Sequence, residues 1–336
     1  MRTAPHRSSI RFVLPLAAAL ALTATAAAKA QTPPLEELIS AVVQIKTFIN
    51  PDGRTLQNLG REREGSGIVI DGNGLVLTIG YLMVEAHAAQ VTTNDGRTLP
   101  ANVVGYDHET GFGLLQAIAP LKVKPLALGK SADVKERDAV VVASFGGPDR
   151  AGRALVVAKR EFAGNWEYLL DEAIFTSPPH PQWSGAALIS RDGKLVGVGS
   201  LIVGDATGKR DGVPGNMFVP IDRLPPVLGD LIADGRAAGP PRPWLGVNAQ
   251  EAHGRLIVSR VTPDSPAERA GVQRGDIIVG VNGVAADSLG DFYRKVWAVG
   301  AAGATIPLDV LHDNEKRRID VKSMNRLDHL KLKSTF

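Results

Sequence analysis

Pro181-Gln182-Trp183-Ser184-Gly185-Ala186-Ala187-Leu188-Ile189 is followed by the turn Arg191-Asp192-Gly193-Lys194 and a second apolar run, Leu195-Val196-Gly197-Val198-Gly199. Two short strands around an Asp-Gly turn, entered through a serine among small residues, are a β-hairpin signature. Glycine and alanine beside Ser184 leave room for a carbonyl to approach its hydroxyl and the nearby backbone N–H groups, which suits a nucleophile. A plain tight turn has the same composition, so the surrounding chain must decide.

Working outward, the same pattern recurs. Val42-Val43-Gln44-Ile45-Lys46-Thr47-Phe48 is rich in β-branched residues, and Gly65-Ser66-Gly67-Ile68-Val69-Ile70 and Leu75-Val76-Leu77-Thr78 flank the turn Asp71-Gly72-Asn73-Gly74. Further strands are predicted at 89–93, 102–106, 113–117, 139–144, 154–160 and 173–176, which together point to an all-β barrel or sandwich. A helix over 221–233 leads into Gly235-Arg236-Ala237-Ala238-Gly239-Pro240-Pro241-Arg242-Pro243, read as a linker. Beyond it lie Trp244-Leu245-Gly246-Val247, a strand at 256–261, Gly271-Val272-Gln273-Arg274-Gly275-Asp276-Ile277-Ile278, a helix at about 289–299 and strands at 307–311 and 318–321.

The N-terminus bounds the compartment. Arg2, His6, Arg7 and Arg11 precede an apolar run from Phe12 to Leu22 and small residues ending Ala28-Lys29-Ala30, the order of a secretory signal peptide. Cleavage there gives an expected first residue Gln31 and leaves 306 of the 336 residues, enough for two domains at roughly 150 residues each. No later stretch approaches the roughly 20 apolar residues of a membrane helix, so no stable membrane insertion is expected. The formal charge of +3 owes its sign to the leader: without Arg2, Arg7, Arg11 and Lys29, Lys and Arg fall from 38 to 34 against 35 acidic residues. That balance gives no electrostatic reason to expect nucleic acid. With no cysteine there is no disulfide and no thiol nucleophile, and no His/Asp/Glu cluster has metal-ligand spacing, so neither a metal nor a cofactor is predicted.

These segments resemble the HtrA (Deg-type) periplasmic serine proteases, in which a chymotrypsin-like double β-barrel precedes a PDZ domain. The resemblance covers about residues 35–325. It implies a signal peptide at 1–30, a trypsin-like domain at 31–234, a linker at 235–243 and a PDZ domain (α+β) at 244–330, exported to the periplasm of a Gram-negative cell. It is carried most specifically by Trp244-Leu245-Gly246-Val247, like the PDZ carboxylate-binding loop, and by the 271–278 turn and strand. In the first unit the nucleophile position is Ser184, with Gln182 and Ser184 supplying oxyanion N–H groups. The position of the family's histidine falls on Tyr81 and that of its aspartate on Gly111, while the family's Gly-Asn-Ser-Gly-Gly is here Gln182-Trp183-Ser184-Gly185-Ala186.

A serine hydroxyl attacks effectively only when an oriented base takes its proton. A phenol, protonated at neutral pH, is a poor proton acceptor, and glycine orients nothing. His180 is the best substitute base by proximity, ahead of His87 and His108, and Lys194 is a remote Ser–Lys candidate. The favoured reading is an exported pseudoprotease that binds peptide C-termini or unfolded segments through Leu245, Gly246 and Val247, with Phe292 and Val296 lining an apolar pocket and Trp244 beside it. The alternative is an active endopeptidase using Ser184 with a non-standard base. A third reading makes the barrels a platform for partner proteins. Family members often form trimers through an N-terminal segment, so a homo-oligomer is admitted, although only Gln31 to Pro34 precede the first element here.

Overall fold

The computed structural model describes Met1, Ala4, residues 33–313 and residues 315–332; apart from Met1 and Ala4, the expected signal peptide lies outside the described residues. After the short helix α1 (Leu35–Ser40), six strands close the first barrel: β1 (Val42–Ile49), β2 (Glu62–Val69), β3 (Leu75–Ile79), β4 (Ala86–Thr92), β5 (Thr98–Tyr106) and β6 (Phe112–Ala117), in the order β1-β2-β3-β6-β5-β4. A single helical turn, α2 (Leu56–Leu59), sits between β1 and β2. The second barrel closes in the order β10-β11-β12-β9-β8-β7, from β7 (Ala139–Ala143), β8 (Ala151–Gly164), β9 (Tyr168–Ser177), β10 (Ala187–Ile189), β11 (Leu195–Val203) and β12 (Gly215–Pro220). This is the expected double β-barrel.

Each barrel is filled by alternate residues of its strands. Val43, Ile45, Val76, Val91 and Leu115 fill the first, and Val142, Val156, Ile174, Leu188 and Phe218 the second. The opposite faces of β1, β3 and β6 are apolar too. Val42, Leu77, Phe112 and Leu114 pack there against Leu170, Phe175, Val198 and Met217, forming the seam between the barrels. The 71–74 turn closes as its residues dictate: Asp71 Oδ1 accepts the N–H groups of Asn73 (3.0 Å) and Leu75 (2.7 Å).

One backbone contact fixes the seam next to Ser184. The Ser66 N–H donates to the Ser184 carbonyl at 2.8 Å. Gly185 follows at φ +73°, and a Cβ there would lie 1.9 Å from the Ser66 carbonyl oxygen. Glycine is therefore the only residue that lets the two barrels meet at this point.

The helix expected over 221–233 is a 3₁₀ turn at Ile221–Arg223 and α3 (Pro225–Asp234), because Pro225 and Pro226 suit only a helix's first turn. The C-terminal sheet runs β13-β14-β15-β17-β18, from β13 (Val247–Ala252), β14 (Arg255–Val261), β15 (Ile277–Val281), β17 (Thr305–His312) and β18 (Glu315–Lys322), with β16 (Val284–Ala285) paired to β15. Helix α4 (Pro266–Ala270) and helix α5 (Leu289–Ala298) pack on it. Ser265 and Ser288 cap them by accepting the N–H groups of Glu268 and Asp291. After β18, α6 (Arg326–His329) brings the chain back to the first barrel, where Asn50 donates to the Lys331 carbonyl at 2.8 Å and Lys331 N–H to Glu85 at 2.7 Å. No helix among the described residues is long and apolar enough to cross a membrane.

Gly185→Ala is expected to lower unfolding free energy by about 3 kcal/mol or more, since the obstacle is backbone and not a movable side chain. Gly229→Ala, with nothing within 4 Å of its Cβ, should stabilise α3 by about 0.5–1 kcal/mol. Denaturant titration of the two variants decides; equal stability at position 185 would contradict this account of the seam.

Candidate functional site

Ser184 and Tyr81 meet across the barrels. Tyr81 lies on the 3₁₀ turn Gly80–Leu82 that follows β3 directly. Its phenolic oxygen is 2.8 Å from Ser184 Oγ and 2.9 Å from the Ser200 carbonyl oxygen. A carbonyl can only accept, so the single phenolic proton goes to Ser200 and the Ser184 hydroxyl donates to the phenol. Burial pushes the Tyr81 phenol up to about 12, with hydrogen bonds to Ser184 and Trp183 acting the other way.

Gly111 is adjacent, as its carbonyl accepts the Gly80 N–H at 2.6 Å. A Cβ on Gly111 would stand 3.1 Å from the Tyr168 hydroxyl, which itself donates to the Thr110 carbonyl at 2.6 Å. The aromatic side chain thus fills the space beside Gly111. Asp107, the nearest buried acid in sequence, spends its carboxylate on its own turn by accepting the N–H groups of Glu109 and Thr110 and the Thr110 hydroxyl.

The other sequence candidates lie elsewhere. His180 places Nε2 3.0 Å from Ser144 Oγ, and Ser144 donates at 3.0 Å to Gln182 Oε1. Its ring pairs with β7's end, and burial lowers its pKa. His108 is half-buried, and desolvation followed by the Arg326 charge lowers it to about 4. His87 is exposed on β4 and Lys194 is exposed in the turn between β10 and β11. Among the described residues no group of three or more His, Cys, Asp or Glu side chains is arranged to hold a metal.

A cavity of about 740 Å³ opens beside Ser184, lined from one side by Tyr81, Trp183 and Ser184 and from the other by Trp244, Gly246 and His329. Trp244 is 7% exposed, packs on the His329 ring at 4.7 Å and bridges Met324 through both backbone bonds. In the loop that starts β13, the N–H groups of Leu245, Gly246 and Val247 all point at one acceptor, the Glu167 carboxylate, at 2.9, 2.6 and 2.9 Å. Gly246 at φ +85° admits no Cβ, which would lie 2.2 Å from Ser265 Cβ. Phe292 and Val296 are fully buried on α5, in the core of the C-terminal unit.

Glu167 was not among the expected site residues. The sequence reading ends its strands at 160 and resumes at 173, whereas β8 and β9 run on to Gly164 and from Tyr168, leaving Asn165-Trp166-Glu167 as the tip of a long hairpin. The available signal was a lone acid between Trp166 and Tyr168-Leu169-Leu170. Glu167 itself holds φ +57°. Burial pushes its carboxyl up to about 7, against the three amides and the Arg326 charge.

A carboxyl raised above its unfolded value contributes stability that is present below that value, 4.5, and lost as pH rises through about 7. Glu167→Gln has no such proton to lose. The stability of wild type relative to this variant is therefore expected to fall by on the order of 3 kcal/mol between pH 4.5 and 7.5, read as thermal midpoints across that range. A difference independent of pH would contradict it.

Residues 65–198 match the trypsin-like peptidase domain family and residues 243–323 the PDZ domain family. A protein of Synechocystis sp. named "Putative serine protease HhoA" is 28% identical over 81% of this chain and 74% of its own length. A protein of Pseudomonas putida named as a probable periplasmic serine endoprotease, DegP-like, is 30% identical over 78% of this chain. The chain spans 56% of that relative's length. The solved HtrA-type protease AlgW with decapeptide superposes with a TM-score of 0.52 at 21% identity, over 86% of this chain and 97% of that one. Two barrels and then this sheet, matched in the same order by such relatives, make the chain an HtrA-type serine protease homologue with a trypsin-like domain and a C-terminal PDZ domain.

Proposed function

We propose that this chain is a recognition protein built on a protease scaffold: it binds peptide C-termini or unfolded segments through its PDZ domain and does not hydrolyse them through a triad. The observation that carries this reading is the 2.8 Å pair of Ser184 Oγ and the Tyr81 phenol. At the place where a base is needed stands a group that is protonated at any physiological pH, its value raised to about 12. A group that already holds its proton and donates it to the Ser200 carbonyl cannot take a second one from Ser184.

The position of the aspartate supports the same reading, since Gly111 has no side chain and Tyr168 fills the adjoining space. So does His180, whose ring is engaged with Ser144. In a comparable triad, removal of the base alone costs on the order of 10⁶ in turnover. The Gln182 and Ser184 amides could still polarise a carbonyl, but that residue of catalysis is weak. We place the protein in the periplasm, by its leader-like N-terminus and by relatives whose names carry that compartment. There the PDZ domain would serve as scaffold, regulator or quality-control receptor.

Casein incubated with the purified protein is expected to remain uncut at the rate of the buffer alone, and Ser184→Ala is expected to change nothing. Cleavage that disappears in Ser184→Ala would replace this reading with that of an endopeptidase using another base.

A further inference from the structure

The seat that a PDZ domain offers to a peptide's terminal carboxylate is filled in this chain by one of its own side chains. All three N–H groups of 245–247 converge on Glu167, which is 7% exposed and belongs to the β8–β9 turn of the second barrel. Two residues on, Leu169 is 6% exposed and belongs to the core of the C-terminal unit together with Phe292, Tyr293 and Val296 of α5. Its Cδ1 lies 3.3 Å from the position of a Cβ on Gly290, at the start of that helix. A carboxylate on the loop amides and an aliphatic side chain against α5 are the two features by which an extended peptide end is held beside an edge strand, and β13 is one of the two edge strands of its sheet.

The turn is tied down from several directions. The Tyr293 hydroxyl donates to the Gly164 carbonyl at 2.7 Å and accepts the Glu167 N–H at 3.1 Å. Arg326 donates to the Trp166 carbonyl at 3.0 Å. Arg294 adds exposed ion pairs to Glu161 and Asp171, which contribute little on their own. A left-handed Glu167 backbone is uncommon for a residue with a side chain, and here it aims the carboxylate into the amides.

We propose that the 165–169 turn is a built-in ligand of the PDZ domain, with Glu167 standing in for a peptide's terminal carboxylate and Leu169 for its last side chain. This rests on the reading of the domain as a receptor for peptide ends, and adds how that receptor is kept closed. A tethered occupant acts at a high effective concentration, so an incoming peptide binds only the fraction of molecules whose turn has left. If one molecule in ten or fewer is open, peptide affinity is reduced at least tenfold.

The test uses the full-length mature chain at pH 8 and a fluorescein-labelled decapeptide ending in valine, with a free carboxylate or a terminal amide. Polarisation is read for wild type, Glu167→Gln and the double variant Glu167→Ala/Leu169→Ala. The double variant is expected to bind the free-carboxylate peptide at least tenfold more tightly than wild type, with no comparable gain for the amide; Glu167→Gln, uncharged and of the same shape, should keep the seat closed and bind no more tightly than wild type. Amide hydrogen exchange at 245–247 gives a second reading that does not depend on any peptide: protection in wild type that is lost in the double variant, while the β14–β15 amides stay protected. Equal peptide affinity in wild type and double variant would overturn the proposal, as would unprotected 245–247 amides in wild type. An emptied seat by exchange with no binding by any of the three proteins would instead overturn the reading of the domain as a C-terminus receptor.

Discussion

The contact between the Ser66 N–H and the Ser184 carbonyl, made possible by a residue without a Cβ at 185, holds the two barrels at the distance on which the rest of this molecule depends. From it follows the position of the serine hydroxyl, because Gly185 N–H and Ala186 N–H are already committed to the Gly199 and Trp183 carbonyls. The 3₁₀ turn after β3 then delivers whatever stands at 81 to that hydroxyl. Backbone geometry thus brings a serine and a partner residue together whether or not the partner can act as a base. A fold of this kind sets proximity, and which chemistry that proximity serves depends on the side chains it brings together.

The side chains around Ser184 are satisfied consistently by their neighbours. The phenol at 81 needs a proton acceptor when buried, and the Ser200 carbonyl supplies it. The space beside Gly111 is taken by Tyr168, whose hydroxyl is satisfied by Thr110. Tyr168 also sits between Glu167 and Leu169, the two residues that fill the PDZ groove. One strand start therefore serves three neighbours: the barrel seam, the region of Gly111 and the C-terminal domain.

Much of this was legible in the residues. Alternating apolar runs with Asp-Gly and Asn-Gly turns specify antiparallel barrels, and the 71–74 turn forms as its residues require. The resemblance to the HtrA family singles out positions 81, 111 and 184 and the amide loop 245–247, and the fold brings Tyr81 to Ser184. Their surroundings were not legible. Neither the Tyr81–Ser200 bond nor the Tyr168 hydroxyl beside Gly111 has a local sequence signal, because both join residues from different strands. Glu167 was missed for a related reason: the β8–β9 hairpin is longer than its β-branched stretches, and the partner of its acid lies 78 to 80 residues further along the chain. Long-range pairings of backbone amides leave no mark on composition or periodicity.

On the function proposed, Ser184 has no base. The most direct measurement of this is the reaction of the hydroxyl with an excess of a fluorophosphonate, followed by intact mass and peptide mapping at pH 8. A hydroxyl that donates to a protonated phenol should give no adduct at Ser184 above that of other serines. A single stoichiometric adduct at Ser184, absent from Ser184→Ala, would contradict it and establish an activated nucleophile.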